Sequence, residues 1–388
     1  MEEHIISLFY LAIILILGIL ITAVSNKFKM SNILFLVLAG YLLKLFGLNY
    51  FSDELVLVLS SLALILIVLE TVMKIDLVHV VKNFFHILKF NIIYFLISSY
   101  VLTMVVFLLF DVPGDRFEVF VLCLLLSIII YGVDPIIAME FFQEKKNRVK
   151  EMLKIEGMIS GPIVVIFAFF IIDYLKSAEK YVSTTSLVKS ILLLFLAIII
   201  GVLVAYIFYR FLQLFSITNE LYSLLIISVS IFLFVMGEFI GTNGSLIVAI
   251  YGLFFRGLSK QSLSKNYVSI VAHILYIIVF VLFGIEFFFP QPGLWLKILG
   301  LFGVYLLLRF VCIYLFMKEL NIREKLFMTF NMAKGIEIAL VMFIMKLHFG
   351  NLEGINFILS VGFTFFVLSY VLATIVNHYG DKLLKHHS

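Results

Sequence analysis

The sequence predicts an all-α integral membrane protein with about 13 transmembrane helices, two of them broken. Three observations predict this fold class. Hydrophobic residues make up 64% of the 388 residues and charged residues only 13%, whereas about a quarter of the residues of a soluble domain are charged. Apolar runs long enough to cross a bilayer follow one another along the whole chain. Two of these runs are interrupted by glycine or proline beside a charged side chain.

Apolar runs of roughly 17 to 25 residues mark the spans. The first run is followed by no small-residue cleavage site, so it is expected to be a spanning helix rather than a signal peptide. The ninth run is short and follows Gly241 to Gly244, which predicts a half-helix or a helix with an irregular start. The predicted spans lie near residues 5–24, 32–48, 55–73, 87–110, 117–140, 152–174, 186–209, 221–239, 244–255, 268–288, 293–316, 325–347 and 354–377.

The distribution of basic residues predicts the orientation. An odd number of spans places the two termini on opposite sides of the membrane. With the amino terminus outside, the connections that become cytoplasmic carry most of the 28 Lys and Arg residues, as the positive-inside rule requires. Arg309 is counted with these cytoplasmic residues. We therefore expect a multi-pass plasma-membrane protein with its carboxy terminus in the cytoplasm.

Span order predicts one membrane domain, 1–388, made of two repeats of opposite orientation. The repeats cover approximately 5–174 and 221–377, and a helix near 186–209 links them; no soluble domain is expected. The two interrupted spans, the fifth and the twelfth, lie seven spans apart and so occupy equivalent places in the repeats. Interrupted segments in corresponding halves are typical of a transport site near the bilayer midplane.

The fifth span is interrupted at Gly132, Val133, Asp134 and Pro135. Proline removes a backbone donor and disfavours helix at the residue before it, so the helix is expected to break at the carboxylate. Irregular backbone at membrane depth is tolerated where it is buried in protein or lines a watery cavity, and an ionisable residue there indicates a functional site. Asp134 is the first candidate for binding a transported ion or proton.

The twelfth span contains Lys334, Gly335 and Glu337. A charge near the middle of a span costs at least about 2.5 to 3.5 kcal/mol, so Lys334 is expected to face the protein interior and to have a partner. Gly335 predicts a second helix break. Glu337, three residues further on, is either a proton-titrating carboxylate of the site or a compensating charge that allows Lys334 to be inserted.

The sixth span begins with Glu156, Ser160, Gly161 and Pro162. Glu156 and Ser160 are four residues apart and share a helix face. We predict a structural ion pair between Glu156 and Lys334, with Ser160 as an oxygen ligand near Asp134 and a further helix break at Gly161 and Pro162. The alternative is that Glu156 faces the cytoplasmic headgroups.

Other functional classes have little support in the sequence. No zinc-protease pattern, phosphate-binding glycine loop or serine with a matching histidine is found, so an enzyme is not expected. The two cysteines lie in apolar runs and indicate neither disulfides nor a metal cluster, and nothing indicates nucleic-acid binding. Glu70, Glu238 and Glu286 are interpreted as interfacial residues, and His273 as a packing residue.

Four stretches together resemble the monovalent cation/proton antiporters, the superfamily of sodium/proton exchangers. Gly132 to Pro135 resembles the family's Thr-Asp-Pro, and Glu156 to Pro162 lies where the family has Glu-Ser-x-x-Asn-Asp. Ser245 to Gly252 resembles its Ser-x-x-Leu-Ala-x-x-x-x-Gly, and Ala333 to Gly335 its Leu-Arg-Gly. Each motif is weak alone, but their order covers nearly the whole chain. The resemblance implies an inverted-repeat fold with two broken helices crossing at the midplane, in a homodimer.

The sequence departs from the family at the residue that would be its main cation and proton ligand. Ser160 and Gly161 replace the family's Asn-Asp, and Lys334 replaces the usual arginine. Asp134, Glu156 and Glu337 with Lys334 retain three acids and one base, which suggests that the titrating carboxylate has moved from the sixth span to the twelfth.

We therefore expect exchange of a monovalent cation, Na⁺ in preference to K⁺ or Li⁺, for protons. No cofactor and no metal beyond the transported cation are expected, and the partners are the lipid bilayer and small cations. The alternatives are a transport-inactive relative that acts as a sensor or partner subunit, and a carrier of another small ion.

Overall fold

The computed structural model of the chain is all-helical where it is described, which confirms the predicted fold class. The described residues are 2–28, 31–47, 52–73, 77–134, 148–176, 184–215, 219–242, 244–259, 267–350, 352 and 354–384. They form 14 α-helices, which are α1 Glu2–Phe28, α2 Asn32–Leu45, α3 Asp53–Met73, α4 Leu77–Leu109, α5 Arg116–Tyr131, α6 Arg148–Lys176, α7 Thr184–Gln213, α8 Asn219–Ile240, α9 Gly244–Ser259, α10 Tyr267–Glu286, α11 Trp295–Phe316, α12 Ile322–Phe330, α13 Ile336–Phe349 and α14 Ile355–Leu384.

Length and composition make this chain an integral membrane protein. Each predicted span overlaps a described helix, and the twelfth consists of two helices, α12 and α13, on either side of a non-helical stretch. Within the described residues, six segments are long and apolar enough to cross a membrane, namely His86–Leu109, Glu151–Ile172, Phe195–Gln213, Leu221–Ile240, Pro292–Phe316 and Ile355–His378.

The helices form two compact units. Unit 1 comprises residues 1–56, 82–164 and 277–388, and unit 2 comprises residues 57–81 and 165–276. The inverted repeats, approximately 5–174 and 221–377, remain a prediction.

In unit 1, α14 packs against the helix before the first interrupted segment and against both helices that flank the second. It contacts α5, α12 and α13, and also α2 and α11. Glycine allows a close approach elsewhere in this unit, because a Cβ at Gly284 of α10 would collide with the carbonyl oxygen of Val37 in α2. The helix ends that flank the candidate site are therefore fixed by one long apolar helix.

In unit 2, α9 packs against α7 and α8. The predicted irregular start of the ninth span is instead a tight turn between α8 and α9. Gly241 adopts a positive φ of 78°, a conformation that glycine adopts without strain. The Glu238 carboxylate accepts a hydrogen bond of 2.9 Å from the Gly244 amide, so this acid caps α9.

Candidate functional site

The two interrupted segments of unit 1 meet each other. Helix α5 ends at Tyr131, and residues 132–134 continue without helical structure. Residues 331–335 separate α12 from α13 in the same way. The Asp134 amide donates a 2.7 Å hydrogen bond to the Ala333 carbonyl, which joins the segments directly. The helix therefore ends before the carboxylate, and Pro135, predicted to break it, lies outside the described residues.

The predicted break at Gly161 and Pro162 is wrong. Helix α6 runs without interruption from Arg148 to Lys176, through both residues. Proline removes one intrahelical hydrogen bond, but breaking a spanning helix would leave several backbone groups without partners, where no water can reach them. Gly161 instead provides space for a neighbouring side chain.

That side chain is Glu337. A Cβ added at Gly161 would lie 2.8 Å from Oε1 of Glu337, and one added at Gly335 would collide with Oε2. The Cβ of Asp134 lies 3.2 Å from the same Gly335 position. The Glu337 carboxylate therefore lies between two glycines and next to Asp134, in the space that a side chain at position 161 would enter.

Asp134 and Glu337 differ from the other charged residues of the site in their exposure. Both are partly exposed, whereas Glu156, Arg309 and Lys334 are buried. Glu337 also lies in the first turn of α13, where the amino-terminal end of the helix stabilises negative charge. Asp134 and Glu337 are therefore the two acids of the site that retain some exposure.

Lys334 stabilises the carboxyl-terminal end of α5. Its ammonium donates to the carbonyls of Ile130 and Gly132, the latter at 2.8 Å, and to the Tyr305 hydroxyl at 2.9 Å. The Tyr305 ring centroid lies 4.4 Å from the nitrogen. Tyr370 donates to the Lys334 carbonyl at 2.5 Å. The positive charge therefore compensates carbonyl dipoles at a helix end rather than a carboxylate.

Glu156 pairs with Arg309, so the predicted pair with Lys334 is wrong. Arg309 Nη1 lies 2.6 Å from Oε1 and Nη2 lies 3.0 Å from Oε2, a bidentate geometry. Both side chains are buried, with exposed fractions of 0% and 1%. Arg309 also donates from Nη2 to the Met328 carbonyl at 3.2 Å. The alternative of a headgroup-facing Glu156 is excluded by the same burial.

Ser160 joins α6 to the extended segment beside Asp134. Its hydroxyl donates to the Val133 carbonyl at 3.0 Å and accepts from the Val133 amide at 3.3 Å. It also lies 3.4 Å from the Gly157 carbonyl. This position next to Asp134 agrees with the prediction from helix spacing, while the role of Ser160 as an ion ligand remains a prediction.

Two residues of the site, Arg309 and Tyr305, were missed at the sequence level. They lie four residues apart on α11 and share a face of that helix. The available signal was the charge of Arg309 within an apolar run that ends near residue 316, which should have indicated a buried partner. Tyr305 gave no comparable signal, because tyrosine is common at membrane interfaces.

The remaining candidates lie elsewhere. Glu286 is buried and forms an ion pair with Lys346, so it is not a simple interfacial residue. His273 is exposed and stacks on Tyr276, with ring centroids 5.8 Å apart. In the part of the chain that the structure describes, no group of three His, Cys, Asp or Glu side chains could hold a metal ion.

Comparisons with known proteins place this architecture in a family. The chain superposes on the structure of the sodium proton antiporter MjNhaP1 from Methanocaldococcus jannaschii at pH 8 with a TM-score of 0.78, over 99% of both chains and at 19% identity. The superposition on an electron-microscopy structure of the same antiporter has a TM-score of 0.79, again over 99% of both chains and at 18% identity.

No curated protein sequence matches the chain. The family model described as "Sodium/hydrogen exchanger, transmembrane" matches residues 11–378. Because this match covers nearly the entire sequence, the chain belongs to the transmembrane sodium/hydrogen exchanger family.

Proposed function

We propose that the protein exchanges a monovalent cation for protons across the membrane, with Na⁺ as the favoured cation and K⁺ or Li⁺ as alternatives. Family membership supports cation/proton exchange as the class of function. One observation carries the assignment of residues: Asp134 and Glu337, from the two interrupted segments, converge where both carboxylates are partly exposed.

The proposed chemistry is competition for these two carboxylates. A carboxylate can bind either a proton or an alkali cation, which prefers hard oxygen ligands. Entry of one cation would therefore release a proton to the same side of the membrane, and the reverse would follow on the other side. Ser160 and main-chain carbonyls of the interrupted segments would supply further oxygens.

We propose further that Glu337 replaces the carboxylate that the family resemblance places at position 161. Oε1 of Glu337 lies 2.8 Å from where a Cβ at Gly161 would be, so it occupies the volume that an aspartate there would need. Asp134 is the second acid in this arrangement. Glu156 and Lys334 would serve the scaffold, because the first pairs with Arg309 and the second with the end of α5.

The second candidate function is that of a transport-inactive relative acting as a sensor or partner subunit. It is favoured by one observation, the glycine at position 161. A carrier of a different small ion, such as an anion, has less support. Lys334 is the base that would bind an anion, and its ammonium is buried and donates to two carbonyls and the Tyr305 hydroxyl.

The setting of this function is also proposed. We place the protein in the plasma membrane as a homodimer, with the amino terminus outside and the carboxy terminus in the cytoplasm. The distribution of basic residues supports this orientation. Cysteine-accessibility labelling of the two termini in intact cells would test it.

The test is proton flux in proteoliposomes after a pulse of NaCl, LiCl or KCl, with sodium gluconate to exclude a chloride effect. We expect the wild type to show cation-dependent proton flux, and Asp134→Asn and Glu337→Gln each to abolish it. Asp111→Asn is the matched control and should retain flux. The Asp111 carboxylate is exposed, and its Oδ2 lies 3.9 Å from Nζ of Lys297.

Wild-type protein that is folded but shows no flux with any of the three cations would support the inactive relative. Full flux in Glu337→Gln would contradict the role of Glu337 while leaving exchange itself in place.

A further inference from the structure

One end of the three-helix bundle in unit 2 holds polar side-chain atoms that are buried and have no hydrogen-bond partner. They are the hydroxyls of Tyr222, Tyr251 and Ser259 and the Nη1 atom of Arg256. Tyr222 lies in the first turn of α8, Tyr251 lies at the middle of α9, and Arg256 and Ser259 lie in the last turn of α9. Buried polar groups are nearly always paired in proteins, so four such atoms in one place indicate an ordered water or a ligand between them.

These four residues, here called the α8–α9 polar cluster, are adjacent to one another. The Tyr222 and Ser259 hydroxyls are near enough to interact with each other, although their distance and angle are not those of a normal hydrogen bond. Arg256 acts on Tyr222 through its charge, and Tyr251 interacts with Tyr222. The rings of Tyr222 and Tyr251 both pack against Phe255, at centroid distances of 6.0 and 5.5 Å. The two tyrosine rings therefore share Phe255 as a packing partner.

The cluster is closed inside and open at the helix end. Tyr251 is 0% exposed and Tyr222 is 9% exposed, whereas Arg256 and Ser259 are partly exposed. A ligand could reach the guanidinium from the end of the bundle, while the tyrosine hydroxyls would contact it from within. Positive-inside counting predicts that this end faces the cytoplasm, at the level of the lipid headgroups.

The chemistry of these atoms selects an anion. Guanidinium nitrogens only donate hydrogen bonds, and each hydroxyl can also donate one, so the missing ligand must offer several acceptor oxygens. A cation would be repelled by Arg256, which forms no ion pair within the described residues. The amino-terminal end of α8 adds positive partial charge beside Tyr222. A water molecule could accept hydrogen bonds but would carry no negative charge, and none of the described carboxylates forms an ion pair with Arg256.

We propose that the α8–α9 polar cluster binds a phosphate-class oxyanion, either in a phospholipid headgroup or as free phosphate. Arg256 supplies the charge and a planar donor fork suited to phosphate oxygens, and Tyr222, Tyr251 and Ser259 supply hydroxyl donors. The site lies in unit 2, apart from the exchange site of unit 1, and its occupancy does not depend on the proposed transport.

The full-length protein in detergent provides the test, with thermal unfolding and native mass spectrometry as readouts. Three probes are compared: phosphatidylglycerol, diacylglycerol with the same acyl chains, and inorganic phosphate. We expect phosphatidylglycerol or phosphate to raise the unfolding temperature and diacylglycerol to have no such effect. Stabilisation by phosphate alone would identify a free ion, and stabilisation by the phospholipid alone a headgroup.

Amino-acid substitutions test whether the stabilisation by these probes comes from binding at the α8–α9 polar cluster. Arg256→Gln should weaken binding roughly 10- to 100-fold, since a charge-assisted hydrogen bond is lost. Tyr222→Phe/Tyr251→Phe keeps both rings and should weaken binding roughly 5- to 100-fold, which allows the test even if Arg256→Gln does not fold. Tyr206→Phe, an exposed tyrosine of α7, is the matched control. Equal stabilisation by diacylglycerol, no stabilisation by any probe, or unchanged binding in the double tyrosine variant would overturn the proposal.

Discussion

Gly161→Asp and Glu337→Ala, made singly and together, test whether the carboxylate of the exchange site has moved from α6 to α13. In Gly161→Asp the new Cβ would start 2.8 Å from Oε1 of Glu337, where ordinary contacts begin at 3.4 Å. Overpacking of this kind costs about 1 to 3 kcal/mol, and a second carboxylate would face the first. We expect the single variant to unfold at a lower temperature and to exchange more slowly than the wild type.

Glu337→Ala removes the obstacle together with the carboxylate, so this variant should lose cation-dependent proton flux. The double variant returns one acid to the same space without the clash. Residues in contact couple by about 0.5 to 3 kcal/mol. The double variant should therefore regain cation-dependent proton flux that Glu337→Ala lacks.

The assay is the proteoliposome flux measurement, combined with thermal unfolding of each purified variant to confirm folding. Gly161→Ala is the control, because it adds the clashing Cβ without a carboxylate; it should be destabilised and gain no flux in the Glu337→Ala background. Two results would refute the reasoning: wild-type flux in Glu337→Ala, or a folded double variant that is no faster than Glu337→Ala.

Two further predictions concern the scaffold around the acids. Glu156→Gln leaves Arg309 buried without its anion. Breaking such a buried pair costs about 3 to 5 kcal/mol, so we expect a clearly lower unfolding temperature. An unfolding temperature equal to that of the wild type would show that the pair is dispensable. Tyr305→Phe keeps the ring against Lys334 but removes the hydroxyl that accepts a hydrogen bond from the Lys334 ammonium, which should cost about 1.5 to 3 kcal/mol of stability. Thermal unfolding, compared with the control Tyr206→Phe, checks this. If both variants unfold like the wild type, the carbonyls of α5 alone satisfy the lysine.

The sequence was sufficient to predict the helices and the two interruptions, because hydropathy and span length are read directly from the chain. It was also sufficient to predict that Asp134 and Glu337 belong to one site, because the order of the motifs along the chain resembles that of the antiporter family. Residues that lie far apart in sequence can be matched in this way only when each carries a charge or a helix break.

The partners of the buried charges could not be predicted in the same way. Two basic residues within later spans, Lys334 and Arg309, could have paired with Glu156. Which of them forms the ion pair depends on where α11 packs. Positive-inside counting assigned Arg309 to the cytoplasmic connection because it lies near the end of an apolar run. Burial of its guanidinium is decided by tertiary packing, which local hydropathy does not contain.

Pro162 shows a different limit. Proline in a helix interior removes one hydrogen bond and clashes with the carbonyl of the preceding turn, so a break was predicted. Inside an apolar environment the free energy of a full break is higher, so α6 remains continuous. The local rule for proline did not take into account the apolar surroundings of this predicted span.

Lys334 and Glu337 belong to the same short stretch of chain, and this has a consequence for how the site can rearrange. The stretch carries at one end the cation that compensates the carbonyls of α5 and, three residues later, the acid that lies between Gly161 and Gly335. A displacement of the whole stretch that withdrew the acid from between the glycines would also break the hydrogen bonds of Lys334 to the end of α5. Breaking them would cost free energy, so these bonds favour the arrangement in which the acid lies between the glycines.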